Sequence, residues 1–295
     1  MTFRIQPHVR LQEWVADEHR YFHEAGLDYE FEPEGMAGAT VTTSPVSMTG
    51  EAPVELTRGA FEDMEKGRSC DVSAACHWAV NAASTAGAGR MWGKAYSVCP
   101  SAVFVAPESG YRRPEDLAGV PVGVGYHSGS HYSAIEGLEQ FLDRDRINLT
   151  FVGLPYDRVR LAVERKVPAV NVFGAQYYTL EQQGFRKLVD TTFMMGFLVS
   201  EMVSTDDLEK YFSGLRHAQR DIDLEPSRYK HYWLREMPDD IQRIVDVRRF
   251  GPGERIVYEP YTREMFEKTH QWMRSWDLFD FGSAARPRFE EAVLG

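Results

Sequence analysis

The sequence predicts an α/β protein built as two lobes around a cleft. Three observations carry that expectation. Apolar, β-branched runs alternate with helical patterns along much of the chain. Two extended apolar runs, 95–106 and 191–203, each cross its middle. At 295 residues the chain also exceeds the usual size of a single core. The lobes are accordingly placed at 1–106 with 193–295, and at 107–192, with a largely helical C-terminal part.

Residues 2–6 (TFRIQ) read as a strand and 7–10 as a loop; Leu11, Trp14, Val15, Tyr21 and Phe22 then share a helical face that Gly26 stops. A strand at 28–32 closes a first β-α-β unit whose strands should be parallel. Glycine, proline, serine and threonine make 33–53 a loop with an extended segment at 39–43, followed by a helix at 54–66 and a strand at 70–75. That strand runs into Cys76, His77 and Trp78 and a small-residue helix at 79–88, and 95–106 is the next extended run. Beyond the turn-rich 107–119, the expected order is a strand at 121–124, a helix at 132–143, a strand at 149–153, a helix at 156–166 and a buried strand at 167–174. After the run at 191–203 the pattern is helical at 205–221, 226–236, 238–245 and 261–276, interrupted by the turn FGPGERIVYEP.

With 43% hydrophobic residues and 13% aromatics there is material for real cores. A net charge of -11 argues against nucleic acid as a partner, though an acidic protein can still hold a positive pocket. No apolar run is long enough for membrane insertion, and the N-terminus MTFRIQPHVRLQEW lacks the pattern of a secretion signal, so a cytoplasmic location is expected. Cys70, Cys76 and Cys99 are an odd number without metal-knuckle spacing, which fits reduced thiols.

The most informative stretch is PVGVGYHSGSHYSAIEGLEQ, 121–140, a strand, a turn and the start of a helix. The first turn of such a helix presents unpaired N–H groups and the positive end of its dipole. Ser128, Ser130 or Ser133 beside them makes a receptor for a carboxylate, sulfonate or phosphate. The plainer reading is that one serine is only the N-cap.

Three segments resemble the type II periplasmic-binding-protein superfamily, in particular its alkanesulfonate, nitrate and thiamine-precursor branch. ADEHRYFHEAGLDYEFEP at 16–33 is similar to its first helix and second strand, YRRPEDLAGVPVGV at 111–124 to the segment opening its second lobe, and SGSHYSAIEGLEQ at 128–140 to its ligand-gripping helix start. The resemblance spans roughly residues 2–200. It implies a two-lobed type II periplasmic-binding-protein-like fold and a small anionic organic ligand. The superfamily also holds enzymes, among them 4,5-dihydroxyphthalate decarboxylase, which FEDMEKGRSCDVSAACHWAV at 61–80 resembles in layout. A sulfinate desulfinase of the superfamily has an early cysteine where this chain carries His8 and Arg10, and the iron-binding cysteines of its pyrimidine synthase are absent.

In such a fold, ligands sit at the carboxyl ends of the strands, so the loops 7–10, 75–79, 125–131 and 174–178 should face the cleft. They supply His8, Arg10, Cys76, His77, Trp78, Tyr126, His127, Ser128, Ser130, His131, Gln176, Tyr177 and Tyr178. Arg10 and the start of the 128–133 helix are read as the anion clamp, or Arg10 as a solvated loop charge. A histidine from 8, 77, 127 and 131 is read as the proton carrier, or each as a hydrogen-bonded structural residue. Trp78, Tyr126 and Tyr177 would wall an aromatic or unsaturated substrate. Cys76 beside His77 suggests a thiolate, although neighbours on a strand point to opposite faces. No cofactor is expected; His127 and His131 are spaced for a shared metal, but no metal motif supports one. His217, His231 and His270 are read as surface or packing residues, and Tyr229, Tyr232, Trp233, Trp272, Trp276 and Phe279 as core or as a homodimer contact.

The expected function is cofactor-free lyase chemistry, decarboxylation first, on a small anionic acid, with the proton delivered by His77 or His127. The alternative is a non-catalytic solute-binding protein for a sulfonate, carboxylate or pyrimidine-like ligand of a transporter.

Overall fold

The structure, a computed structural model, describes residues 2–8, 10–32, 43–46, 60–65, 70–279 and 288–295. Strand β1 (Phe3–Ile5) leads through α1 (Gln12–Glu18) and α2 (Tyr21–Glu24) into β2 (Tyr29–Phe31). The two strands are parallel, Phe3 opposite Tyr29, as a helical crossover requires. Gly26, at φ 76, reverses the chain between α2 and β2 in a conformation that favours glycine. Within the expected loop at 33–53 lies a short strand, β3 (Thr43–Val46), and α3 (Ala60–Glu65) covers the end of the helix expected at 54–66. The remainder of both expectations falls outside the described residues.

Strand β4 (Val72–Cys76) passes directly into α4 (His77–Thr85), followed by β5 (Arg90–Trp92), β6 (Tyr96–Cys99) and β7 (Ser101–Val105). The run expected at 95–106 is thus two strands. Pro100 has no N–H to continue a ladder, and the chain changes sheets there rather than after residue 106. The second lobe consists of β8 (Pro121–Val124), α5 (Gly129–Leu138), β9 (Asn148–Val152), α6 (Pro155–Val163), β10 (Ala169–Phe173), α7 (Gly174–Gln182) and β11 (Arg186–Asp190). Strand β12 (Phe193–Val199) returns to the first sheet. The C-terminal part holds α8 (Thr205–Leu224), α9 (Pro226–Tyr229), α10 (Asp239–Gln242), β13 (Arg255–Val257), α11 (Arg263–Ser275), α12 (Phe289–Ala292) and β14 (Val293–Leu294).

One sheet runs β13-β6-β12-β4-β1-β2, with β5 pairing β12 and β14. The other runs β11-β7-β10-β8-β9-β3, so β3, from the segment expected in the first lobe, completes the second sheet. The crossing at Pro100 and the return before β12 lie side by side, since Thr191 N–H donates to Ser101 O at 2.9 Å. Within the second sheet β8, β9 and β10 are mutually parallel, which gathers their carboxyl ends, and the starts of α5, α6 and α7, on one edge. Strands β4 and β7 are buried along their whole length, and so is α4 from His77 to Ser84, as expected of strands covered on both faces. Among the described residues no helix is long and apolar enough to cross a membrane.

Candidate functional site

The end of β8 turns through Gly125, Tyr126 and His127 into α5. The helix begins at Gly129 rather than at the expected residue 132, with Ser128 extended at its N-cap. Ser128 Oγ does not cap the helix: it donates to Gly125 O at 2.8 Å and lies 2.8 Å from Ser130 Oγ. Ser130 is buried, and its Oγ accepts Gly125 N–H at 3.0 Å. Asn171 on β10 fixes the same turn from below, its Nδ2 donating to Ser130 O and to Ser133 Oγ, each at 2.8 Å. The hydroxyls of Ser128 and Ser130 therefore shape the loop between β8 and α5.

Sequence reasoning missed the cation beside this turn. Arg158, on α6, is 1% exposed, and its Nη1 reaches back to Gly153 O at 3.2 Å. A Cβ at Gly125 would stand 2.7 Å from Nη1, so only glycine lets the guanidinium lie against the turn. Arg158 Nε is buried without a hydrogen-bond partner. Neighbouring Asp157 is engaged elsewhere, accepting from Leu154 N at 2.8 Å and from Arg160 Nη1 at 2.9 Å. Burial, only partly offset by Asp157, lowers the Arg158 pKa to about 10.

A second polar centre sits at the end of β1. Arg10 is corrected from an anion clamp to part of a buried ion cluster. It is 2% exposed, its Nε donates to both oxygens of Glu13 at 2.9 and 2.8 Å, and its Nη1 donates to Glu254 at 2.8 Å. With two carboxylates on its donors, it has no open fork for a ligand. Glu254 also accepts from Ser97 Oγ, and its other oxygen lies 3.1 Å from His8 Nδ1, neither of those two atoms having another partner. Burial alone would raise the Glu254 carboxyl, but the electrostatic attraction of His8 and Arg10 and the hydrogen bonds of His8 and Ser97 outweigh it and hold the group at about 2. His8 keeps 17% of its side chain exposed.

The remaining expected site residues are distributed differently. His77 and Cys76 are corrected as catalytic groups. His77 Nδ1 lies 3.4 Å from Tyr261 Oη and 3.3 Å from Thr269 Oγ1, in the packing of α4 against α11, and burial lowers its pKa to about 3. Burial pushes the Cys76 thiol up to about 12, in spite of the backbone N–H groups of the α4 start, so it is not a thiolate. Trp78 is 1% exposed among Tyr132, Phe193 and Trp272, a core residue and not a ligand wall. Tyr177 packs edge-on to Phe104, with its hydroxyl accepting from Lys187 Nζ at 3.0 Å. Tyr178 instead meets the first lobe, accepting Gly253 N–H at 3.2 Å. Gln176 is buried in the first turns of α7.

His131 is fully buried; its Nδ1 accepts His127 N–H at 3.3 Å, and burial, with His127 adding, drives its pKa well below the usual histidine range. His127 stands at φ 38 and is stacked on Tyr126 at 3.9 Å, with Phe279 at 4.8 Å on ring centroids. His77 and His127 border one aromatic cluster, His77 through Trp78 at 4.1 Å and His127 through Tyr132 at 5.9 Å, with Trp78 and Tyr132 5.6 Å apart on ring centroids, whereas His8 pairs with Glu254 at the end of β1.

The starts of α4, α5 and α7 are brought together instead by Phe193, the first residue of β12. Its ring lies 5.7 Å from Trp78 and 5.6 Å from Phe173, and it covers Gly129, where a Cβ would meet it. Cys99 is paired with Phe193 across the ladder, and Gly174 N–H at the α7 start donates to the neighbouring Pro100 O at 3.0 Å. Three helix starts and the carboxyl ends of β4, β8 and β10 therefore surround one aromatic side chain.

No protein-family model and no curated protein matches the sequence. Solved structures do match. The alkanesulfonate-binding protein SsuA from Xanthomonas axonopodis, bound to MOPS, is 15% identical with a TM-score of 0.68 over 99% of this chain and 98% of its own. A Candida albicans protein with the generic periplasmic binding protein fold is 11% identical with a TM-score of 0.64, covering 100% of this chain and 96% of its own. The desulfurization enzyme DSZB is 12% identical with a TM-score of 0.56, covering 98% and 97%. The chain has the two-lobed type II periplasmic-binding-protein-like fold.

Proposed function

We propose that the protein holds a small organic anion, a sulfonate or a carboxylate, between its lobes at the start of α5. The observation that carries this reading is the convergence of three helix starts on Phe193, at the carboxyl ends of parallel strands. The positive ends of the three helix dipoles favour negative charge there, and the rings of Phe173 and Phe193 favour an organic body attached to it. The similarity in fold to SsuA, an alkanesulfonate-binding protein, agrees with this. Thermal unfolding with a series of alkanesulfonates and alkyl and aryl carboxylates tests it: at least one should raise the melting temperature in a saturable way, and no response to any of them overturns it.

A second reading, cofactor-free decarboxylation of the bound acid, is favoured by the His8–Glu254 pair. Glu254 would hold Nδ1 and stabilise the imidazolium, leaving Nε2 for the ligand. The bond from the carboxylate to the organic group breaks, carbon dioxide leaves, and the electron pair stays on carbon. Carbon then takes the proton from His8 Nε2, and solvent reprotonates the ring. Prolonged incubation followed by mass spectrometry separates the readings: a carrier returns its acid unchanged, whereas the enzyme yields the decarboxylated product and His8→Gln abolishes it.

A further inference from the structure

We propose that Arg158 supplies the counter-charge for the anion held at the start of α5; this rests on the ligand reading above. A buried guanidinium is ordinarily matched by a carboxylate, because an unpaired charge in a low-dielectric interior is costly. Arg10 in this same protein shows the matched case, with Glu13 and Glu254 on its donors. Arg158 is as deeply buried, yet its Nε has no partner and its Nη1 has only a neutral carbonyl. Asp157, its neighbour in sequence, is turned to the Leu154 amide and to Arg160, which Asp240 also grips at 2.7 and 2.8 Å.

The direction in which the guanidinium points identifies its missing partner. It lies against Gly125 at the carboxyl end of β8, with Ser128 Oγ 3.0 Å from where a Cβ at the same glycine would stand. The ten-residue helix α5 begins at Gly129, so its N-terminal end adjoins the turn against which the guanidinium lies. The helix start and the cation come from different elements, α5 and α6, so their agreement is not a property of one turn. Together they make a receptor for an oxyanion of fixed charge, and an uncharged isostere would leave the guanidinium uncompensated. The preferred ligand class is therefore a sulfonate or carboxylate ionised throughout the neutral range, and not an alcohol, amide or sulfone.

Titration calorimetry of the full chain with ethanesulfonate, butanesulfonate, MOPS, butyrate and benzoate, and with diethyl sulfone as the uncharged counterpart, tests this beside Arg158→Met and Arg158→Lys. The wild type should bind at least one anion and not the sulfone, Arg158→Met should weaken that anion at least tenfold, and Arg158→Lys should fall between. Ligand-free Arg158→Met should melt no lower than the wild type, since it removes an unmatched buried charge. An Arg158→Met protein that binds the anion undiminished overturns the assignment while leaving the ligand reading standing. One that melts far below the wild type, or does not fold, overturns it too, by showing the guanidinium to be structural. A wild type that binds none of the anions overturns both.

Discussion

The carboxylate of Glu139 receives the indole N–H of Trp272 at 2.8 Å, and its other oxygen receives that of Trp276 at 2.8 Å. Glu139 ends α5 in the second lobe, and both tryptophans come from the end of α11, which lies against α4 in the first. The far end of α5 is thus tied across the lobes by two charge-assisted bonds. Arg144 reinforces the tie, placing its guanidinium 4.5 Å over the Trp276 ring and donating to Ser275 O at 2.6 Å. Removing the carboxylate leaves two indole donors in a partly buried site. Glu139→Ala should lower stability by about 2 kcal/mol and shift tryptophan emission to the red, with Glu139→Gln smaller on both counts. Urea unfolding with fluorescence detection reads both; an unshifted emission maximum would show that the tie is not formed in solution.

Stability should decline on mild acidification. Burial lowers the pKa of His77 to about 3 and of His270 to about 4, and drives His131 well below the usual value near 6.5. The folded state therefore binds fewer protons than the unfolded state. The stabilisation is complete above pH 6.5 and is lost as pH falls towards the folded values, at up to about 1.4 kcal/mol per unit per histidine. Between pH 7.5 and 5.5 the three together should cost roughly 3–4 kcal/mol. Glu254, held at about 2, loses its contribution only below the ordinary carboxylate range and stays out of this window. Urea midpoints at the two pH values measure the slope, and His77→Gln should flatten it by about a third; an unchanged slope would mean that the ring is solvated.

Most of the architecture was legible because strands covered on both faces are continuous apolar runs and the helices between them keep their period. The departures have local causes. Pro100 splits an apolar run whose composition gives no sign of a change of sheet. The site was less legible. The junction of β4 with α4 correctly marked a helix start, but whether His77 faces the cleft or α11 depends on the exact residue at which the helix begins. Arg10 finds Glu254 at a separation of 244 residues, a pairing no local pattern encodes. Arg158 reads in sequence as one more charge on an amphipathic helix; its significance appears only with Gly125 beside it and its buried Nε unpartnered.

Asn171 should prove the structural anchor of the first turn of α5. Fully buried, it donates to Ser130 O and Ser133 Oγ, and its Oδ1 accepts from Thr191 Oγ1 at 2.8 Å at the return crossing. Asn171→Ala strands donors and acceptors on both sides and should cost about 3 kcal/mol. Asn171→Asp should be at least as harmful, since a carboxylate cannot donate to the Ser130 carbonyl and brings a buried charge. Equal stability of the aspartate variant and the wild type, measured by urea unfolding at pH 7.5, would refute the donor role of Nδ2.

The contact between Gly129 and Phe193 offers the most direct test of where the lobes meet. Phe193 Cε2 would stand 2.8 Å from a Cβ at Gly129, with other ring carbons also in collision, and Phe193 is itself held between Trp78 and Phe173. The glycine is therefore required by close approach, since any side chain drives the α5 start away from β12. Gly129→Ala should cost about 1–3 kcal/mol through overpacking. Phe193→Leu should cost about 1 kcal/mol through lost contacts, but it removes the atoms that the new methyl group strikes. The double variant should then be more stable than the sum of the two costs allows, with an interaction energy of about 1 kcal/mol or more. Strict additivity in that double-mutant cycle would mean that α5 and β12 do not touch in solution and that the lobes stand further apart than Phe193 implies.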